Sequence, residues 1–207
     1  IEDALHIPAE ERARIIDQVA PHERDARISG LPFLGSGRIF PYSDDAIKEP
    51  LIEDVPLQWA KLWGVDFGIG HPFAAVLIAW DKDNDVIHVL NTIRVADQLP
   101  LQHAKPMKMI GRSVPVAWPQ DGTAREKSGE QVSALYRKEG LNMLANHATW
   151  PQGGASTETG VMEMQDRITT GRLKVAAHLS DFFEEFRLYH RKDGMIVKER
   201  DDILSAL

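Results

Sequence analysis

Three separate places in the chain carry aspartates in settings that suit metal chemistry. Asp66 lies among glycines in GVDFGIG, at the end of an apolar run, and Asp121 follows the short apolar segment PVAWPQ. An adjacent pair, Asp201 and Asp202, opens the last helical stretch. Carboxylate oxygens are the ligands that hard divalent cations prefer. Three carboxylates from different elements can together hold two such cations about 3.5–4 Å apart, an arrangement that supports in-line phosphodiester hydrolysis.

Each aspartate also has a plainer interpretation. Asp66 can cap a glycine-rich turn, and for this motif alone the two interpretations carry equal weight. An Asp-Gly pair such as the one at Asp121 is most often a turn. Adjacent acids at a helix start are ordinary capping residues that the helix dipole keeps ionised. The metal hypothesis therefore depends on the three positions meeting in space.

The elements that must position these acids form an α/β pattern. Strands are predicted at 61–67, 72–80 and 85–95, the second continuously apolar as expected when both faces of a sheet are covered. A short turn, DKDN, joins the last two into an antiparallel hairpin. Further segments follow in the order helix (102–112, interrupted by Pro106), strand (115–121), helix (128–140), strand (141–146) and helices (161–171, 179–191, 201–207). The pattern predicts a mixed sheet with flanking helices.

The first strand brings Asp66 to a defined face of this sheet. Side chains alternate, so Gly64 and Asp66 share one face while Trp63 and Val65 point to the other. A lone carboxylate on a covered face must be paired, hydrogen-bonded or bound to a cation. We expect the neighbouring glycines to leave room for a hydrated metal ion and a substrate backbone.

Composition limits the classes of function. The 207 residues include 24 basic and 31 acidic side chains, a net charge of −7, so any nucleic-acid binding must come from a local basic patch. Cysteine is absent, which excludes disulfides and thiolate metal sites. No apolar run reaches the roughly 18 residues of a membrane span.

Residues 1–56 differ from the rest. A short helix is predicted within PAEERARIIDQV, and Gly- and Pro-rich segments follow it. We interpret residues 1–56 as a mostly irregular lead-in and residues 57–207 as the folded domain. Because the chain starts at Ile1 and stops within a helical stretch, we interpret it as a fragment of a longer protein.

Four segments of the chain resemble the C-terminal nuclease domain of the large terminase subunit of tailed double-stranded DNA bacteriophages. They are the stretch at 21–41, WGVDFG at 63–68, the run at 160–175 and the ending at 184–207. The resemblance implies an RNase H-like fold and a metal-dependent endonuclease that cuts double-stranded viral DNA concatemers during packaging. It also implies a preceding ATPase domain in cis, a portal protein and a small terminase subunit as partners, no membrane, and the host cytoplasm as location.

The resemblance also implies roles for the aspartates. Asp66, Asp121 and the Asp201/Asp202 pair would hold two Mg²⁺ or Mn²⁺ ions, with Asp66 bridging both. Many relatives read His-x-x-Asp-Ala at the third position, whereas this chain has Asp202 and Ser205 there. Positions i and i+3 share a helix face, so Asp202 can present its carboxylate one turn earlier. We favour Asp202, with Asp201 pointing elsewhere, but leave both as candidates.

Basic residues near the acids are candidates for gripping DNA phosphates. Arg125 and Lys127 follow Asp121, while Lys198 and Arg200 precede the late pair. Any single one is more often solvated surface charge. His71 is a candidate for orienting water, although a histidine in such a loop is more often incidental.

Two other classes of function stay open. An actin-like nucleotide-binding domain also carries a glycine-flanked Asp on its first strand before a hairpin, but it needs a second phosphate loop and a longer chain. A non-catalytic docking module of a packaging motor would use the acids only as caps. Nucleotide binding and the effect of replacing Asp66 on DNA cleavage discriminate among the three hypotheses.

Overall fold

The computed structural model describes residues 7–17, 37–68, 71–125, 129–151 and 153–207. The helices of these residues are α1 (Ala9–Asp17), α2 (Pro100–Gly111), α3 (Val132–Lys138), α4 (Thr157–Thr169), α5 (Ser180–Leu188) and α6 (Asp202–Ala206). Short 3₁₀ turns cover Asp44–Ala46 and Gln120–Thr123. The α1 helix confirms the helix predicted in PAEERARIIDQV.

The strands of the described residues form one large mixed sheet and a small ribbon. They are β1 (Lys48–Glu49), β2 (Ala60–Asp66), β3 (Phe73–Asp81), β4 (Val86–Val95), β5 (Pro115–Ala117), β6 (Asn142–Met143), β7 (Leu173–Ala176), β8 (Arg191–Lys192) and β9 (Met195–Ile196). The seven-stranded sheet has the order β1-β7-β4-β3-β2-β5-β6, and β8 pairs with β9. The sequence therefore predicted the mixed α/β class correctly.

The directions of the strands bring the C-terminal ends of β2, β4 and β5 to the same end of the sheet. Strand β3 runs antiparallel to both β2 and β4, while β5 runs parallel to β2. Asp66 pairs with Ala74 on β3, and Ala74 pairs with Arg94 on β4. Because directly paired residues share a face, Asp66 and Arg94 lie in one cross-strand row.

Both faces of the sheet are covered by apolar side chains. One cluster joins the β3 residues Ala74 and Val76 to Phe182 and Phe186 of α5. The other joins Trp63 and neighbouring strand residues to helices α2 and α3. This confirms the interpretation of the continuously apolar segment 72–80 as a strand buried on both sides.

Residues 38–49 contribute to the core, although the sequence analysis assigns them to the lead-in. Phe40 and Ile47 are completely buried, and the ring of Phe40 stacks on Phe186 with centroids 5.3 Å apart. Strand β1 extends the sheet by pairing parallel with β7. The sequence signal was weak because these apolar residues are few and lie among Pro, Ser and Asp without a regular spacing. The domain boundary at 56/57 itself stays a prediction.

Two further differences concern single elements. Helix α2 continues through Pro106 rather than breaking there. Strand β7 was missed in sequence analysis, which assigned only helices to this part of the chain. Its four residues, with Leu173 and Val175 buried, are too few for a clear alternating pattern.

Helix α6 lies directly against β2, and Gly64 is the residue that permits this contact. A Cβ atom added at Gly64 would lie 2.0 Å from the carbonyl oxygen of Ala206. The glycine therefore leaves room for a helix, not for the hydrated ion and substrate backbone that we expected from the sequence. Its consequence is to bring the start of α6 toward the end of β2.

Buried Glu185 on α5 also fixes α6. Its Oε2 accepts hydrogen bonds from the backbone N–H groups of Ile203 (2.8 Å) and Leu204 (3.2 Å), and its Oε1 accepts one from Arg94 (2.9 Å). Burial raises the pKa of Glu185 to about 7, although these hydrogen bonds act to lower it. The first turn of α6 thus depends on an acceptor supplied by another helix.

The Gly64 contact leads to a stability prediction. Gly64→Ala should lower the free energy of unfolding by about 3 kcal/mol, the upper end for an overpacked core, because the new methyl group meets backbone that cannot rotate away. Urea denaturation measures the loss. Gly160→Ala in α4 is the control: the nearest atom to its added Cβ is 3.5 Å away, so the better helix former should be neutral or stabilising. Equal effects of the two substitutions would contradict the prediction.

Glu185 leads to a prediction about pH. Its folded-state pKa of about 7 lies above the ordinary 4.5, so its contribution to stability is fully present below pH 4.5 and is lost as pH rises through 7. The unfolding free energy of the parent, relative to Glu185→Gln, should therefore fall by roughly 2–3 kcal/mol between pH 5 and pH 8. Denaturant titrations of both proteins at the two pH values measure this. A constant difference would show that the pKa of Glu185 is the same in both states.

Candidate functional site

The predicted aspartates come from different elements, near the end of the sheet where β2, β4 and β5 finish. Asp66 is the last residue of β2, and Asp121 lies in the 3₁₀ turn that follows β5. Asp202 is the first residue of α6, which packs on β2. Parallel strands β2 and β5 direct the first two acids to the same edge, and the close approach at Gly64 brings the third.

His71 lies between two of these acids. Its Nδ1 is 3.0 Å from Oδ1 of Asp202, and its Nε2 is 3.7 Å from Oδ1 of Asp66. The negative charges of both acids raise the pKa of His71, although desolvation, the largest single influence, lowers it. A protonated imidazole can thus supply positive charge to both carboxylates.

The carboxylates also influence one another. Burial is the main cause that raises the pKa of Asp66, and the charges of Asp121 and Asp202 raise it further. The backbone N–H of Gly68 and the charge of His71 act in the opposite direction. Burial likewise raises the pKa of Asp121, and His71 lowers it. Carboxylates that repel one another suit a divalent cation, because its charge relieves the repulsion and its preferred ligand is oxygen.

Asp201 also belongs to this neighbourhood. Its Oδ2 accepts a hydrogen bond of 3.3 Å from the hydroxyl of Ser205, and burial raises its pKa. Both Asp201 and Asp202 line the same cleft, so both stay candidates for the third acid. Asp202 has the contact with His71 and through it with Asp66, which still favours Asp202 as the third acid.

Asp66, Asp201 and Asp202 line one cleft, whose lining does not include Asp121, and these acids do not form a closed ligand set. Over the ranges that the structure describes, no group of three or more His, Asp or Glu side chains has the geometry of a metal centre. The imidazole of His71 separates Asp66 from Asp202. The roles of these residues as ligands therefore stay a prediction.

The cleft at this edge has a volume of about 460 Å³ and combines acids with cations. Its lining residues are Asp66, His71, Pro72, Arg94, Ala96, Lys198, Arg200, Asp201, Asp202 and Ser205. Arg200 also pairs with Glu184 on α5, with Nη1 and Oε1 2.6 Å apart. The cleft thus offers positive charge for an anionic ligand beside carboxylates for a cation.

One of the predicted phosphate contacts, Arg125, is located elsewhere. Arg125 donates a hydrogen bond of 2.6 Å to the carbonyl of Gly129 and is exposed, outside the lining of the cleft. Lys127 lies outside the described residues. The candidates that the structure brings to the cleft are therefore His71, Lys198 and Arg200.

Arg94 lines the cleft but was missed in sequence analysis. It lies within a strand of otherwise ordinary pattern, and no motif marks it. The only signal was the register of the hairpins, which pairs Ala74 with both Asp66 and Arg94. A predicted register would have located it.

In the part of the chain that the structure describes, no helix has the length and apolar character needed to span a bilayer.

Comparison with known proteins identifies the family of this chain. The family model described as "Terminase RNaseH-like domain" matches residues 63–207. Terminase large subunits of Enterobacteria phage LP7 and Salmonella phage P22 are each 42% identical to this chain over 209 residues and cover 100% of it. The chain spans 44% and 42% of those two proteins, which is less than half of their length.

Solved structures agree with this fold. The P22 large terminase nuclease domain is similar with a TM-score of 0.76 and 41% identity, over 83% of this chain and 89% of that one. The large terminase nuclease of the thermophilic phage G20c, solved with bound magnesium, has a TM-score of 0.57 at 13% identity, over 84% of this chain and 95% of that one. The second match shows the fold alone. Together with the family model, these findings confirm the RNase H-like fold, and the chain belongs to the terminase RNase H-like domain family of phage large terminase subunits.

Proposed function

We propose that this chain is a metal-dependent endonuclease that cuts double-stranded viral DNA concatemers during genome packaging. One observation carries the proposal: Asp66 and Asp202, from distant parts of the sequence, face the same imidazole ring beside a cleft that also contains Lys198 and Arg200. The likeness to the P22 nuclease domain, at 41% identity, supports it. Acids for a cation and bases for a phosphate are the two groups that such a reaction needs.

The proposed cofactors are two Mg²⁺ or Mn²⁺ ions, held by Asp66, Asp121 and Asp202, with Asp201 as the alternative third ligand. When bound, such ions lower the pKa of a water nucleophile and stabilise charge on the leaving 3′ oxygen. The magnesium in the G20c nuclease supports a divalent cation. The raised pKa values of Asp66 and Asp121 support it as well, because a cation would favour the ionised form of both carboxylates.

The side chains of this chain would bind and orient the DNA strand. Lys198 and Arg200 would hold phosphates next to the acids, and His71 would position a water molecule. Asp66, at the end of a paired strand, and Asp202, at the start of a packed helix, provide a rigid frame for these groups. We further propose that an ATPase domain in cis, a portal protein and a small terminase subunit act with this domain in the host cytoplasm.

Replacing the first acid tests the proposed activity. Asp66→Asn should reduce Mn²⁺-dependent cleavage of plasmid DNA by at least about 100-fold, since supporting residues alone account for 10- to 100-fold effects at metal sites. Gel assays measure cleavage, and titration calorimetry should show weaker Mn²⁺ binding. Asp54→Asn, in an exposed loop, is the control. Equal cleavage by Asp66→Asn and the parent, or none by either, would favour the docking alternative.

Replacing the cleft cations tests the DNA contact. Log affinity for duplex DNA falls with log salt in proportion to the number of phosphates neutralised. Lys198→Gln and Arg200→Gln should each reduce this slope by about one unit, whatever the DNA sequence. Fluorescence anisotropy in Ca²⁺ measures it without cleavage. Lys82→Gln, in the exposed turn between β3 and β4 at the opposite edge, should leave the slope unchanged. A reduced slope for Lys82→Gln alone would locate the DNA elsewhere.

A further inference from the structure

Arg94 lines the cleft, and its guanidinium forms an ion pair with the buried carboxylate of Glu185. It stands in the same cross-strand row as Asp66, and its side chain is 23% exposed where it lines the cleft. A guanidinium has five N–H donors, and one of them is used for Oε1 of Glu185, 2.9 Å away. Further donors can therefore serve an anion in the cleft while the ion pair keeps the group in one orientation.

Glu185 holds more than this arginine. Its second oxygen accepts from the N–H groups of Ile203 and Leu204, at the second and third positions of α6. A side chain at the position before the helix usually supplies such an acceptor. Here Asp201 occupies that position and makes no capping hydrogen bond with its side chain. The carboxylate of Glu185 replaces it, and so it fixes the turn that carries Asp202.

One buried carboxylate therefore joins the two sides of the cleft. Glu185 is 0% exposed, so water cannot substitute for its three partners without opening the core. On one side it orients a cation, and on the other it orients the helix start that presents an acid. Hydrogen bonds from surrounding residues to the ligand residues of a site commonly determine how well those ligands are aligned.

We propose that Glu185 is the positioning residue of this nuclease site and that Arg94 is a phosphate-contacting residue that it orients. The inference rests on the proposed function. At pH 8, above its pKa of about 7, Glu185 is negatively charged. Replacing it by an amide, which has one acceptor oxygen instead of two, should weaken cation binding through Asp202 and DNA binding through Arg94. Removing Arg94 should act mainly on DNA, because the N–H groups of α6 keep their acceptor.

Mn²⁺ binding and DNA binding are measured separately on the folded protein. In titration calorimetry at pH 8 without DNA, Glu185→Gln should bind Mn²⁺ about 10- to 100-fold more weakly than the parent, the range for residues that support metal ligands. Arg94→Gln should stay closer to the parent in Mn²⁺ affinity and reduce the salt slope of DNA binding in Ca²⁺ by about one unit. Glu163→Gln removes an exposed carboxylate that pairs with Arg167, and as the matched control it should change neither quantity.

The outcomes separate this inference from the proposed function. A folded Glu185→Gln protein with the Mn²⁺ affinity and salt slope of the parent would overturn the inference and leave the nuclease proposal intact. If circular dichroism shows that this variant is unfolded, Glu185→Asp replaces it: the charge stays, but the shorter side chain cannot reach both partners, and parental Mn²⁺ affinity would again overturn the inference. A parent protein that binds Mn²⁺ but cuts no DNA would remove the proposed activity alone, whereas one that binds no Mn²⁺ would remove both.

Discussion

Helix α6 approaches β2 so closely at Gly64 that no side chain fits between them. This contact holds Ala206, at the end of α6, against β2, and Asp202, one turn earlier, lies near the end of the same strand, where it contacts His71. The acceptor supplied by Glu185 fixes the same helix from its other side. A helix of only five residues has little stability of its own, so its position comes from these tertiary contacts.

The second constraint is electrostatic. Burial at the sheet edge makes ionised carboxylates costly, and the raised pKa values of Asp66, Asp121 and Asp201 reflect that cost. The protein balances these charges with His71 and Arg94, which lie on the same cleft. Because the whole chain carries a net charge of −7, the cleft cations form a local exception, and a polyanion would be attracted there rather than to the surface at large.

Much of the frame could be predicted from the sequence. The strands β2 to β4 were found because their apolar residues form long runs with a clear turn between the last two. The resemblance predicted that Asp66 and Asp202 belong to one site, and both carboxylates face the ring of His71. The alternation along β2 correctly assigned Gly64 and Trp63 to opposite faces. The strands and the alternation along β2 could be predicted because each depends only on residues within a single segment of the chain.

The missing parts depend on contacts between distant segments. Phe40 and Ile47 join the core from a stretch rich in Pro and Asp, where no periodicity exists to be read. Arg94 reaches the site only through the pairing of three strands, and the use of Gly64 by α6 involves residues more than 140 positions apart. Lys127 lies outside the described residues. Register and helix docking, rather than local propensity, were the information that the sequence pattern lacked.

The edges of the large sheet have a consequence for behaviour at high concentration. Both outer strands, β1 and β6, are only two residues long, and β1 consists of the charged pair Lys48 and Glu49. Unpaired backbone groups on a long, flat edge act as templates for strand addition by another molecule. Outer strands this short, one of them fully charged, give a second copy little to extend, so crowding of many copies should not lead to fibrous self-association through this sheet.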